Sequence, residues 1–312
     1  MEITKRQKIQ INGWLNLYKP LEISSAQAVG KAKWLTCATK MGHAGTLDPL
    51  ADGVLPLALG EATKATSLLM NARKTYHFTV KWGESTSTDD REGKVILIKN
   101  ERPLKMDIVS VLNNFIGEIN QIPPAYSALK IDGERAYALA RAGQQPVMKA
   151  RPITIHALAM VGEPERDSAQ FRVECGKGTY VRSLARDIAL ALGTVGHVAT
   201  LTREAVGQFT LENAISLDFL ENSVHNASAS SGGESSRTWL MPIVSVLDDI
   251  LALELDEVSV KRLRHGQTVP APQITAPHGQ VAVLLNGEMA ALCEAHPAPA
   301  GFILKPSRIF NL

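Results

Sequence analysis

The stretch Gly42-His43-Ala44-Gly45-Thr46-Leu47-Asp48-Pro49-Leu50-Ala51-Asp52-Gly53-Val54-Leu55-Pro56 carries three glycines, two prolines, one histidine and two carboxylates. Gly42, Gly45 and Gly53 open backbone angles closed to other residues and let another group come close. Pro49 supplies no N–H and biases Asp48 toward an extended backbone. Such a loop presents one carboxylate in a fixed direction, between Leu47 and Leu50. A lone carboxylate among apolar groups takes up a proton more readily and loses nucleophilicity, whereas a guanidinium beside it keeps it ionised. Gly176-Lys177-Gly178-Thr179-Tyr180-Val181-Arg182 offers that guanidinium. It is a glycine-rich turn running into a strong helix, with Tyr180 and Arg182 in the first turn, off the apolar face. On residue types alone both features keep plain alternatives. Clusters of Gly, Pro and Asp are commonly turns, and helix arginines are commonly exposed charges.

Other chemistries find no support. The eight histidines are scattered, with no H-E-x-x-H and no pairing with cysteine at ligand spacing, so no metal is expected. Neither a phosphate-binding G-x-x-x-x-G-K-[ST] loop nor a dinucleotide G-x-G-x-x-G turn occurs, so no nucleotide cofactor is expected. No G-x-S-x-G elbow presents a nucleophilic serine. Cys37, Cys175 and Cys293 are odd in number and far apart, which fits a reducing cytoplasm and argues against a disulfide framework.

The elements that must position Asp48 and Arg182 can be read from periodicity. Gly13 to Pro20 alternates as a strand, and Ser24-Ser25 caps a helix from about Ala26 to Leu35. Val54 to Leu59 reads as a buried strand, and Glu61 to Met70 as a helix. In Lys74 to Trp82, Tyr76, Phe78, Val80 and Trp82 share one face of a strand. Thr86 to Gly93 is a polar connection, Lys94 to Ile98 a strand, and Asp107 to Phe115 a helix. The paired prolines of Gln121 to Lys130 rule out a regular element there; with a short helix from Arg135 to Arg141 they form an insertion or flap over about 120–150. Strands are expected at Pro152 to Met160 and Gln170 to Glu174. Thr179 to Leu192 is the strongest helix, with Val181, Leu184, Ala185, Ile188, Ala189 and Leu192 on one face and Gly193 as its stop. A Ser/Gly-rich linker over 222–237 precedes a small, mostly β module at 248–312.

Composition sets the broad class. The 312 residues are 45% hydrophobic and 21% charged, an ordinary globular balance, with no apolar run long enough to span a bilayer and no apolar leader for secretion. Net charge is only +2, but Met1 to Trp82 hold 11 Lys/Arg against 5 Asp/Glu. That asymmetry suits a polyanionic partner near the Asp48 stretch, or a solvated basic surface.

The Gly42–Pro56 stretch resembles the catalytic signature of the bacterial tRNA pseudouridine-55 synthases, the TruB-type family. Four further blocks, in the family's order, are similar: Leu17-Tyr18-Lys19-Pro20 with Ser24-Ser25; Lys74-Thr75-Tyr76; Pro123-Pro124-Ala125-Tyr126-Ser127-Ala128-Leu129-Lys130; and Gly178 to Asp187. So is Leu201-Thr202-Arg203 with Val206-Gly207, where Thr202 replaces the family's frequent arginine. The resemblance spans about Gly13 to Phe209. It implies an α+β pseudouridine-synthase fold, with a mixed, mostly antiparallel central sheet flanked by helices, over residues 1–236. It implies isomerisation of uridine at position 55 in the T-arm loop of tRNA by base flipping and C1′ cleavage and rejoining, without a cofactor. Asp48 is then the catalytic aspartate and Arg182 its partner. Tyr76 packs on the base and moves a proton, Tyr180 and Leu201 line the uracil pocket, and His43 fills the vacated stack. Lys19, Lys64 and Arg264 are the expected RNA contacts. Arg262 to Val269 resembles the opening of a PUA-type RNA-binding domain, which implies a grip on the acceptor arm; a purely structural cap is the alternative. A cytoplasmic monomer that needs no guide RNA is expected, and a tRNA-folding chaperone with incidental catalysis is the competing function.

Overall fold

The computed structural model describes residues 7–127, 129–131, 133–142, 144, 147–229, 237–247, 250–275, 279–299 and 301–312. A nine-stranded sheet forms its centre. From one edge the strands run Gly13–Lys19, Ala51–Leu59, Gly196–Val206, Lys74–Trp82, Ser168–Cys175, Arg151–Val161 and Gly117–Gln121. Met41–His43 pairs with Ala51–Leu59, and Phe209–Thr210 with Gly196–Val206. One pairing is parallel, Ala51–Leu59 against Gly196–Val206; the rest are antiparallel. This is the α+β arrangement with a mixed, mostly antiparallel sheet that the sequence led us to expect.

The period-two pattern of Lys74–Trp82 explains why core and cavity share one sheet face. Phe78, Val80 and Trp82 are buried. Phe78 stacks on Phe171 with centroids 5.4 Å apart, and Trp82 meets the same ring edge-on at 6.2 Å. Tyr76 and Lys74 continue that face toward the cavity, paired with Val173 and Cys175 on one side. On the other side Arg203 pairs with Tyr76 and Leu201 with Phe78. The helix Val181–Ala191 lays Leu184, Ala185, Ile188 and Ala189 on the sheet. Each large side chain buried this way stabilises the fold by roughly 1.5–3 kcal/mol. Gly193 has φ +75° and ends that helix, with its N–H on the Leu190 carbonyl and the Thr194 N–H on Ala189.

A five-stranded sheet closes the chain, in the order Leu251–Glu254, Gln280–Leu285, Glu288–Ala298, Gly301–Ile309, Val269–Pro270, with the helix Glu257–Arg264 packed on it. It is not tethered loosely. Ala282, Met289, Leu292 and Phe310 share one apolar cluster with Trp14, Val54, Leu68, Leu69 and Phe209 of the larger part.

Three local expectations change. The segment expected to be one helix from Glu61 to Met70 is a 3-10 helix, Gly60–Ala65, followed by an α-helix, Thr66–Asn71. Hydroxyls of Thr63 and Thr66 bond back to the carbonyls of Gly60 and Thr63, and this tightens the first turns. Tyr180 caps the Val181–Ala191 helix instead of lying in its first turn. The helix Leu217–Ala229 occupies the first half of the expected Ser/Gly linker; residues 230–236 lie outside the described residues. Among the described residues no helix is long and apolar enough to cross a membrane.

Candidate active site

Asp48 is set by contacts on both sides of it. The Ser25 hydroxyl accepts from the Leu47 N–H at 2.8 Å and donates to the Leu47 carbonyl at 2.9 Å. Ser24 is the true cap of the Ser25–Thr36 helix, in a capping box with Gln27, which frees Ser25 for the loop. After Asp48, the Pro49 carbonyl accepts from the Glu22 N–H at 2.9 Å, and the Ala51 N–H returns to the Asp48 carbonyl at 3.1 Å.

Lys19 belongs to this support. It is fully buried, and its Nζ donates to the carbonyls of Pro20, Ile23 and, at 3.5 Å, Pro49. The expectation that Lys19 touches RNA is therefore corrected: its ammonium fastens the chain around the loop and reaches no surface. Asp52 is likewise committed, accepting from the Tyr18 hydroxyl at 2.7 Å.

The guanidinium anticipated beside Asp48 is present. Arg182 Nη2 lies 2.9 Å from Asp48 Oδ2. The arginine side chain is 8% exposed and the aspartate 40%, so the pair opens outward through its carboxylate. The other acceptors of Arg182 were not legible: Asp90 Oδ2 at 3.3 Å, the Thr88 carbonyl at 3.1 Å and the Tyr126 carbonyl at 3.0 Å. Asp90 is held in turn by the Thr88 hydroxyl and the Glu92 N–H. Next to it, Arg186 pairs with Asp89 at 2.9 Å. A connection that read as merely polar is thus the socket for two arginines of one helix. No local motif marks Asp90; only the fold brings it to Arg182.

A cavity of about 880 Å³ opens in front of the pair. Asp48, Tyr76, Tyr180, Arg182 and Leu201 all line it, together with Ser127, Lys74 and Arg203. Gln121 clamps Tyr180, its Oε1 accepting from the Tyr180 N–H at 2.9 Å and its Nε2 donating to the Tyr180 carbonyl at 3.2 Å. Ser183 and Arg186 both donate to the Ile122 carbonyl, so residues 121–127 are fastened to the arginine helix. Of the rest of the expected flap, residues 128, 132, 143 and 145–146 lie outside the described residues.

Burial raises the Tyr76 hydroxyl above its ordinary range, with Arg203 beside it pulling the other way. Burial also raises Tyr180, opposed by Ser127 and Arg182. Both rings therefore keep their protons at neutral pH. His43 ends the Met41–His43 strand and is not on the cavity wall. Burial, then Arg203, lowers its pKa, so its imidazole is neutral.

Lys74 donates to the carbonyls of Leu69, Met70 and Ala72 and closes the end of the Thr66–Asn71 helix. Burial lowers its pKa from 10.5 to about 8. Between those values the unfolded chain binds a proton that the folded chain has released, so stability rises with pH there. From about pH 7.5 to about pH 9.5, wild type should gain ~2 kcal/mol more than Lys74→Met in urea unfolding. Equal gains in the two proteins would refute the assignment.

The remaining expected RNA contacts divide. Lys64 pairs with Glu61 at 2.6 Å and donates to the Ile309 carbonyl at 2.8 Å. It is spent at the seam with the C-terminal sheet and is not free for a phosphate. Arg264 is exposed in the last turn of Glu257–Arg264, beside Lys261 and Arg262. Among the described residues no three His, Cys, Asp or Glu side chains gather as a metal site.

Comparison with known proteins decides the family. Residues 33–181 match the N-terminal domain of TruB family pseudouridylate synthases, and residues 182–252 match the tRNA pseudouridylate synthase B C-terminal domain. The chain belongs to the TruB family of pseudouridylate synthases. The tRNA pseudouridine synthase B of Bradyrhizobium diazoefficiens is 46% identical over 99% of this chain and 88% of its own. That of Rhodospirillum rubrum is 45% identical over 99% of both. Among solved structures, the synthase matches a Cbf5-Nop10-Gar1 complex with TM-score 0.76 at 27% identity, over 96% of this chain and 85% of the other. These likenesses make the enzyme a pseudouridine synthase in fold and family, and the five wall residues above occupy the blocks whose resemblance raised that expectation.

Proposed function

We propose that this synthase converts uridine to pseudouridine at position 55 in the T-arm loop of tRNA, with Asp48 as the catalytic carboxylate. The observation that carries the reading is the Asp48–Arg182 pair, 2.9 Å apart, on the wall of a cavity shared by two tyrosines and a leucine. The relatives named tRNA pseudouridine synthase B support the substrate class. A base stacked in a loop cannot be detached in place, so it is extruded into the cavity at a cost of a few kcal/mol. Neutral His43 offsets part of that cost by stacking where the base had been. Arg182, 2.9 Å away, holds the Asp48 carboxylate in place to act on the sugar or ring as the C1′–N1 bond breaks. The electron pair leaves with the uracil ring. The ring turns, C5 bonds to C1′, and the C5 proton is passed on, with N1 protonated in the product. Tyr76 offers a π face for stacking and an O–H for that proton's relay. Leu201 and the half-buried Tyr180 keep the detached base from exchanging with water.

No guide RNA is needed in this reading. It acts as a cytoplasmic monomer, and the C-terminal sheet is a PUA-like module that meets the acceptor arm through Arg264. Removing that module is a poor test, because it would bare the apolar surface around Trp14, Leu68 and Phe209. Arg264→Glu tests it instead. Affinity for whole tRNA should fall and its salt dependence should lose a slope of about 1, while affinity for an isolated T-arm stem-loop stays unchanged. Equal weakening of both RNAs would remove the acceptor-arm assignment. The parent reading is tested by incubating unmodified tRNA with the enzyme and mapping pseudouridine chemically. Modification at position 55 is expected; tight binding without modification would favour a folding chaperone.

A further inference from the structure

Arg203 is the most deeply buried arginine of the site, 1% exposed, yet it reaches the cavity wall. It lies on the Gly196–Val206 strand, paired with Gly53 on one side and Tyr76 on the other. Its guanidinium donates to the carbonyls of Val54 at 2.7 Å, Gly45 at 3.1 Å and Thr46 at 3.4 Å. One loop glycine makes room for its backbone. Gly53 has φ +102°, and a Cβ there would sit 2.3 Å from the Arg203 carbonyl oxygen. At Gly45 the φ of +99° favours glycine, while a Cβ there would meet Nη1 in ordinary contact at 3.6 Å. The close approach that Gly53 allows is thus to the backbone of this arginine.

What sets Arg203 apart is its lack of an ion-pair partner. Arg182 and Arg186 each have two carboxylate partners. Among the described residues Arg203 forms no ion pair; its hydrogen bonds go to three neutral carbonyls and to the Tyr76 side chain. Its charge is felt by Tyr76, Cys175, Lys74, Lys19 and His43. Neither nearby carboxylate is in ion-pair contact with it: Asp48 pairs with Arg182, and Asp52 accepts from the Tyr18 hydroxyl. Burying a cation in this way costs stability unless an anion arrives. The reaction read for this site supplies one, since the electron pair of the broken C1′–N1 bond resides on the uracil ring until C5 bonds to C1′.

We propose that Arg203 is a positioning residue that acts through its charge. Fixed on the loop carbonyls beside Tyr76, it holds a positive charge without an ion-pair partner, and that charge stabilises the detached, negatively charged uracil. This inference rests on the reaction assigned under Proposed function. Charge fixed in a dry site before the reaction needs no reorganisation, and removing one such donor typically costs ~100-fold in rate.

The test compares Arg203→Lys, which keeps the charge, with Arg203→Gln, which does not, in single-turnover conversion of unmodified tRNA. The Gln variant should fall ~100-fold in rate with tRNA affinity within ~3-fold of wild type, and the Lys variant should recover at least ~10-fold of that loss. Arg203→Ala gives a second reading through added guanidinium or urea, which have similar shapes and donors but differ in charge. Guanidinium should restore rate and urea should not. A structural role alone would give equal rates for Lys and Gln, or equal rescue by urea, and either result overturns the proposal. If Arg203→Ala does not fold, the Lys and Gln pair decides. Wild type inert on tRNA would overturn the parent reaction as well; active wild type with a fully active Gln variant overturns this inference alone.

Discussion

Asp48→Asn should abolish conversion of uridine in tRNA, by ~10⁴-fold or more, while the protein stays folded and binds tRNA nearly as wild type does. The substitution keeps the size of the side chain and removes its charge. Asp48 is half exposed, so its ion pair adds little to stability, below about 1 kcal/mol. Arg182 is not orphaned either, because Asp90 and the carbonyls of Thr88 and Tyr126 remain. Rate and fold are therefore separable at this position. The measurement is single-turnover conversion beside a filter-binding isotherm and a thermal melt. A fully active Asp48→Asn enzyme would sink the assigned mechanism; a variant that melts early would show that the loop depends on this carboxylate for its shape.

Arg182→Ala should lose both activity and stability. Its guanidinium satisfies four acceptors, and one of them, the Asp90 carboxylate, is only 6% exposed. Removing the arginine leaves that charge buried and unpaired, at a cost of ~3–5 kcal/mol in urea unfolding. It also frees Tyr126 and the segment behind it from the helix. Arg182→Lys retains a charge but not the planar fork that spans Asp48 and Asp90 together. It should recover part of the stability and little of the rate. Arg182→Ala with wild-type stability would refute the account of Asp90 as the buried anchor. The contrast with Asp48→Asn is the informative result, since the two partners of one ion pair differ in burial and hence in what their loss exposes.

The strand of Tyr76 and the helix of Arg182 were legible because alternation and helical spacing are local properties. Asp48 was legible as a candidate because Pro49 and the flanking leucines restrict and shield it. Arg182 was not separable from a surface charge without the family resemblance. Lys19, expected as an RNA contact, is instead surrounded by carbonyls, which only the fold brings to it. Lys64 was misread in the same sense, since its partners Glu61 and Ile309 meet only when the C-terminal sheet docks. The split of Gly60–Asn71 into two helical forms depends on threonine hydroxyls returning to the backbone, which apolar periodicity does not register.

By itself the sequence determined the order of strands and helices, the loop that carries Asp48, and through its ordered blocks the family and five residues of one cavity wall. These follow from short-range patterns of polarity and from glycine and proline geometry. Only the tertiary structure decided which groups complete the site. Ser25, Gln121, Asp90 and Arg203 come from separate elements, and each acts through a hydrogen bond or charge across more than twenty residues of chain. The loop first recognised by its glycines owes its position to them, because a backbone that is free to bend needs distant partners to fix where it bends.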